Sequence, residues 1–206
     1  MSFNINGLNQ RAQKKLSTHL TGSKKVVNPT DILLENNRQG VKEIKKNETN
    51  AFDIFLCHTS EDSEIILGVL EHLNSYGYIV YVDWITDSNL NKGNITKKTI
   101  DILRMRMTQS KCLFYATTKN YAESIWMPWE LGYMDGNKGR VSILPIFKDE
   151  VSANDNYEGQ EYLNAYPFCV EDIDDGTNKN KLWICEDTNT YVSFDNWLKG
   201  KKPFNH

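Results

Sequence analysis

The sequence predicts an α/β domain built on a parallel β-sheet with helices on both faces. Three observations support this. Four short apolar runs bounded by polar residues recur from residue 51 onward, "AFDIFLCH", "YIVYVDW", "KCLFYATT" and "RVSILPIF", the mark of buried strands. The segments between them carry helical spacing or loop chemistry, a rhythm that builds parallel sheets. At 206 residues, 39% hydrophobic and 25% charged, the chain suits one sizeable core and an appendage.

The appendage comes first. Residues 1–50 hold nine Lys/Arg against four Asp/Glu, giving +5 and leaving −8 for the rest of a chain whose net charge is −3. That shift, near "KKNETN", sets the expected boundary between a basic helical extension (1–50) and the main domain (51–206). Leu8, Ala12, Leu16 and Leu20 recur every fourth residue and predict a short helix. A second helix is expected from Thr30 or Asp31 as N-cap toward Lys46. Two readings stay open, a docked appendage and a mobile basic arm.

In the main domain, "AFDIFLCH" is the first strand, followed by a helix with Ile65, Ile66, Val69, Leu70 and Leu73 inward and Gly77 at its end. "YIVYVDW" is the second strand, and the polar "ITDSNLNKGN" is a loop. The next helix turns Ile95, Thr99, Ile102, Leu103 and Met107 inward. "KCLFYATT" is the third strand. "AESIWMPWELGYMDGNKG" holds a short helix with Pro128 in its first turn, and "RVSILPIF" is the fourth strand. The parallel cores are expected at 53–57, 79–83, 112–116 and 142–147. In the tail, "YPFCVED" reads as a fifth strand. "KLWICEDTNTYVSFDNWL" reads as two strands across a turn at Asp187–Asn189, then a short helix holding Trp197. The acidic run Glu171–Asp175 lacks the ligand alternation of an EF-hand and reads as a solvated loop.

Composition excludes some functions. The negative net charge argues against a general nucleic-acid binder. No apolar run approaches membrane-helix length, and "MSFNINGLNQ" has no apolar signal core. Four cysteines without CxxC spacing, three of them (Cys57, Cys112, Cys169) in strand-like runs, point to reduced, buried thiols. They predict no metal site and a cytoplasmic location.

Doubly wound sheets of flavodoxin-like order bind ligands at the carboxyl ends of the strands, between the first and third. Here those ends are "CHTSED" (Cys57–Asp62) and "YATT" (Tyr115–Thr118). The first precedes a helix start, which suits an anion such as a pyrophosphate. Neither GxGxxG nor GKS/T is present. His58 alone is more often structural than functional. The most aromatic stretch, "SIWMPWELGYMDG", holds Glu130, which sits either on a solvated helix face or in a ligand site.

Together, "AFDIFLCHTSEDSE", "YIVYVDW" with its polar loop, "CLFYATTKNYAESIWMPWELGY" and "RVSILPIF" resemble a Toll/interleukin-1 receptor (TIR) domain over about residues 51–150. Prokaryotic members with the strand-end pattern S-H-x-S-E-D are the most similar. This chain has Cys57 for the first serine and keeps His58, Ser60, Glu61 and Asp62. A tryptophan four positions before the catalytic glutamate matches Trp126 and Glu130. The loop after the second strand, the BB loop of the family, spans about Trp84 to Asn94. It holds Gly93 in a context, "LNKGN", that departs from the usual one.

The resemblance implies cleavage of NAD⁺ at the nicotinamide–ribose bond, with Glu130 catalytic. His58, Thr59, Ser60, Asp83, Trp84, Gly93, Tyr115 and Trp126 are the expected substrate-binding residues, with NAD⁺ as substrate and no separate cofactor. The chemistry needs one carboxylate. Nicotinamide departs neutral, and only the oxocarbenium-like sugar needs stabilising. Water attacking the ADP-ribosyl cation gives ADP-ribose, and a hydroxyl or adenine nitrogen of the same molecule gives a cyclic isomer. Stand-alone prokaryotic TIR proteins resemble the signal makers of Thoeris-like anti-phage systems, which implies an ADP-ribose-derived, cyclic signal acting on a separate effector. Self-association through TIR–TIR contacts is also implied, with no membrane or nucleic-acid partner. The alternatives are a non-enzymatic TIR adaptor or virulence module, and a nucleoside deoxyribosyltransferase-like enzyme.

Overall fold

A computed structural model describes residues 3–20, 28–43, 51–82, 96–147 and 161–206. Its elements run β1 (Phe3–Asn4), α1 (Ile5–Leu20), α2 (Pro29–Glu43), β2 (Phe52–Cys57), α3 (Ser63–Ser75), β3 (Val80–Val82), α4 (Lys97–Gln109), β4 (Ser110–Thr117), α5 (Trp126–Lys138) and β5 (Val141–Phe147). The tail adds β6 (Phe168–Asp174), β7 (Lys179–Cys185), β8 (Thr190–Ser193), α6 (Phe194–Leu198) and β9 (Phe204–Asn205).

The four apolar runs pair in parallel in the order β3-β2-β4-β5, with β6 parallel beyond them. Ile54 faces Val80 on one side and Cys112 on the other, and Leu113 faces Val141. The order therefore reverses between β2 and β4, as in a flavodoxin-like sheet. Strand alternation divides the core in two. Ile54, Leu56, Val80, Val82, Phe114 and Leu144 pack on the side of α1, α2, α3 and α6. Phe55, Cys57, Tyr81, Leu113, Tyr115 and Ile143 pack on the side of α4 and α5. The tail forms the expected hairpin and short helix: β7 pairs antiparallel with β6, β8 with β7, and Trp197 is buried on α6. The two-residue strands β1 and β9 went unpredicted because so short a run has no readable period.

Two expectations are corrected. The run Glu171–Asp175 is mostly the end of β6, paired with β7. There Glu171 accepts hydrogen bonds from Tyr76 (2.5 Å) and Asn180 (3.1 Å) and lies 3.1 Å from His72. The second helix starts at Pro29, not after Thr30 or Asp31. Asn28 caps it, its side-chain oxygen accepting the Asp31 N–H at 2.8 Å while Asp31 reaches back to the Asn28 N–H. That is a reciprocal cap of the capping-box kind.

Both N-terminal helices dock on the domain. β1 pairs with the end of β5, and Phe3, Leu8, Ala12, Ile32 and Leu33 are buried with the core. α2 closes the outer edge of the sheet. Asn37, 1% exposed, donates to the Val82 carbonyl (2.6 Å) and accepts the Val82 N–H (3.0 Å), and Asn36 donates to the Val80 carbonyl (3.2 Å). Side-chain amides thus stand in for a neighbouring strand along β3, an edge that otherwise invites pairing with another chain.

α1 crosses α3 at Gly68. A Cβ there would lie 2.1 Å from the Leu8 carbonyl oxygen, so only glycine permits this crossing. Gly68→Ala should force the helices apart and cost about 1–3 kcal/mol or more, read as a fall in melting temperature of roughly 2–4 °C per kcal/mol. An unchanged melting temperature would show that α1 is not held by this contact.

Candidate active site

The helix that holds Glu130 begins at Trp126, two residues earlier than its proline suggests. The Ser124 hydroxyl accepts the Met127 N–H at 3.2 Å. Pro128, third in the helix, gives up only an N–H that has no intrahelical acceptor. Gly139, at φ 59°, ends the helix by donating to the Met134 and Asp135 carbonyls. Glu130 is therefore in the second turn, and the helix dipole reaches it less strongly than it would a residue of the first.

Met127, Glu130, Leu131 and Met134 form the buried stripe of α5. Glu130 is 0% exposed, which excludes the solvated-face reading. Withdrawing an ionised carboxylate from water costs several kcal/mol, so an apolar residue would serve this stripe better if packing were its only role. The aromatics lie beside it. Trp126 meets Trp129 edge-on at 5.7 Å, Trp129 stacks on Tyr133 at 5.9 Å, and the Arg104 guanidinium lies 5.9 Å from the Trp129 ring. Trp129 and Tyr133 thus contribute to the α4–α5 packing. Trp126 is half-buried one helical turn before Glu130.

α5 reaches the ends of β2 and β4. The Cys57 thiol lies 3.9 Å from the Met127 carbonyl, and Cys57 faces Tyr115 in the sheet. Tyr115 is wholly buried, with Tyr121 edge-on at 6.2 Å. Beyond Cys57, His58 is wholly buried with Nδ1 3.4 Å from the Leu56 carbonyl. Burial lowers its pKa to about 4, against a raising effect of that backbone contact. The ring is neutral at pH 7. Thr59 accepts the Glu61 N–H at 3.1 Å, capping the 3-10 turn Ser60–Asp62 that leads into α3.

Of the expected site residues, His58, Thr59 and Ser60 follow the end of β2, Tyr115 lies on β4 opposite Cys57, and Trp126 and Glu130 lie on α5, whose Met127 carbonyl meets Cys57. Asp83, Trp84 and Gly93, with the loop Trp84–Asn94, lie outside the described residues. The sequence reading missed a network between the turn after β2 and the chain that leaves β4. Asp62 accepts from the Thr118 hydroxyl and from the Asn120 amide. "SED" and "TTKN" carry no sign that they meet 56 residues apart. Among the described residues, no three His, Cys, Asp or Glu side chains form a metal-ligand group. None of those residues forms a helix long and apolar enough to cross a membrane.

No family model matches the chain. Among known proteins, it is 44% identical over 161 residues to the probable 3' cyclic ADP-D-ribose synthase ThsB' of Bacillus cereus (strain MSX-D12). That match covers 78% of this chain and 81% of the relative. The chain belongs to the Thoeris-type TIR-domain NADases of prokaryotes. A second relative, the NAD(+) hydrolase TirS of Staphylococcus aureus (strain MSSA476), is 27% identical over 188 residues, 83% of this chain and 65% of that protein. In this TIR protein the Trp126–Glu130 pair lies on the helix that packs against β2, β4 and β5.

The buried His58 makes the fold acid-sensitive. Its folded pKa of about 4 lies below the unfolded value of 6.5, so the unfolded chain binds a proton first as pH falls. Stability is fully present above about pH 6.5 and declines toward pH 4, by up to about 3 kcal/mol. Urea unfolding across that window should show this slope in the wild type and lose most of it in His58→Asn. An equal slope in both would assign the acid sensitivity elsewhere.

Proposed function

We propose that this TIR protein cleaves NAD⁺ at the nicotinamide–ribose bond and closes the ADP-ribosyl fragment into a cyclic product. The observation that carries this is Glu130, wholly buried one helical turn after Trp126 on α5, the helix whose Met127 carbonyl lies 3.9 Å from Cys57 at the end of β2. One relative is named as a probable maker of 3' cyclic ADP-D-ribose and the other as an NAD⁺ hydrolase, and both names support this reading.

The scissile electrons leave with nicotinamide, which needs no proton. The positive charge appears on the ribose, where an ionised Glu130 stabilises it and orients the sugar hydroxyls. A carboxylate in a dry site acts more strongly there than in water. Trp126 offers a flat face to the nicotinamide or adenine. His58, Thr59 and Ser60 offer neutral hydrogen-bonding groups beside a turn that opens a helix, suited to the pyrophosphate. Tyr115 lies on the neighbouring strand β4, and the family resemblance implies further substrate contacts from Asp83, Trp84 and Gly93. A hydroxyl of the same molecule, giving up its proton, or the lone pair of an adenine ring nitrogen, with a proton then lost from the exocyclic amine, attacks the ribose and closes the ring. Attack by water gives ADP-ribose instead. NAD⁺ is the substrate, with no further cofactor. A pure adaptor has no use for a carboxylate withdrawn from every contact surface.

We further propose that the product acts on a separate effector in anti-phage defence. All four cysteines are buried and none forms a disulfide, which supports a cytoplasmic location. Self-association through the BB loop is proposed on the family resemblance alone.

Purified protein incubated with NAD⁺ should release nicotinamide together with a cyclic isomer of ADP-ribose, separated by chromatography and mass. Absence of nicotinamide release would overturn the proposal, and ADP-ribose as the single product would reduce it to hydrolysis. If neighbouring subunits share a site, specific activity should fall on dilution as light scattering reports dissociation. A dilute monomer with full activity would rule sharing out.

A further inference from the structure

We infer that Asp62 is a positioning residue for this reaction. It fixes the spacing between the ends of β2 and β4, and through that spacing it decides how the ADP-ribosyl fragment partitions between ring closure and water. The inference rests on the NAD⁺-cleaving reading above.

Asp62 is 4% exposed and stands at the N-cap position of α3. Aspartate is among the best residues for that position because its carboxylate accepts a helix N–H. Here the side chain makes no capping hydrogen bond to its own helix. It turns to the end of β4 instead. Oδ2 accepts the Thr118 hydroxyl proton, and Oδ1 accepts from the Asn120 amide at 2.7 Å. The Asn120 backbone N–H donates in turn to the Thr118 oxygen at 3.2 Å. Behind Asp62, its own N–H donates to the Thr59 carbonyl at 3.2 Å. A continuous set of hydrogen bonds thus runs from the substrate-facing residues after β2 to the chain that leaves β4.

That second chain leads straight to the chemistry. Asn120 precedes the turn Tyr121–Glu123, Tyr121 packs against Tyr115, and Ser124 accepts the first-turn N–H of the helix that holds Trp126 and Glu130. One wall of the crevice holds the substrate and the other carries the catalytic carboxylate. Asp62 touches neither substrate nor reacting atoms. It sets the distance between the two walls. Ring closure needs the internal nucleophile aligned and water excluded, so it is more sensitive to that distance than bond breaking is.

The donors fix which substitutions matter. Both partners donate, so an acceptor is required at position 62. Thr118→Val is nearly isosteric and removes one donor, and Thr118→Ser restores it. Misalignment of about 1 Å costs up to about a hundredfold in rate, so Thr118→Val should lower kcat by about tenfold or more. It should also raise the ratio of ADP-ribose to cyclic product, and Thr118→Ser should bring both back toward wild type. Asp62→Asn should shift the ratio in the same direction. The ratio does not depend on the amount of folded enzyme, so it separates positioning from stability, and Thr118→Val carries the test if Asp62→Asn fails to fold. An active wild type with unchanged kcat and ratio in folded Thr118→Val overturns the inference alone. Lower activity at an unchanged ratio does the same, because it reduces Asp62 to a structural role. A wild type that releases no nicotinamide fells the functional reading and this inference together.

Discussion

Burial of one carboxylate constrains this structure more than any other single feature. Glu130 occupies a position that packing alone would give to leucine or methionine, between Met127 and Leu131 on the inward stripe of α5. A charge held out of water loses several kcal/mol of solvation. It persists where the fold around it is held firmly enough to bear that cost, and where a developing positive charge gives it a use. The parallel sheet gives that firmness, its four central strands buried on both faces. The strand order switches between β2 and β4, the point at which sheets of this kind bind ligands. The strand ends supply neutral polar groups, the buried His58 among them.

The N-terminal helices belong to the same account. α1 crosses α3 so closely that Gly68 is the only residue that fits. α2 ties the outer strand through Asn36 and Asn37, and Val82, the residue it grips from both sides, directly precedes Asp83 and Trp84 in the chain. The extension therefore braces α3 at Gly68 and β3 at Val80 and Val82. Its basic charge gives no hint of this. What matters is a thin apolar stripe and two adjacent amides.

Much of the fold was legible because strands buried on both faces leave an unmistakable mark. "DIFLC" and "CLFYA" are continuous apolar runs with polar ends, and the helix ending at Gly77 keeps its spacing throughout. The Trp126–Glu130 spacing was legible through a family resemblance rather than through periodicity. Other features were hidden for physical reasons. Pro128 marks the first turn of α5 but not its first residue, since proline is tolerated anywhere among the first N–H groups. Asn28 was passed over as a cap because Thr30 and Asp31 offer the same chemistry two residues on. The run Glu171–Asp175 looked like a loop because its acids mask the partners, His72, Tyr76 and Asn180, that hold Glu171 in a strand. The link from Asp62 to Thr118 and Asn120 joins distant segments, and no local pattern encodes it.

The central claim is that the charge on Glu130 does the chemistry. Replacement by glutamine keeps the shape of the side chain and removes the charge, so nicotinamide release and melting temperature measured on the same Glu130→Gln samples test it directly. Loss of a charge that stabilises an oxocarbenium-like state in a dry site should slow nicotinamide release by on the order of a hundredfold or more. The melting temperature should hold or rise, because a buried charge is replaced by a neutral amide. Nicotinamide release at the wild-type rate from folded Glu130→Gln would contradict the account.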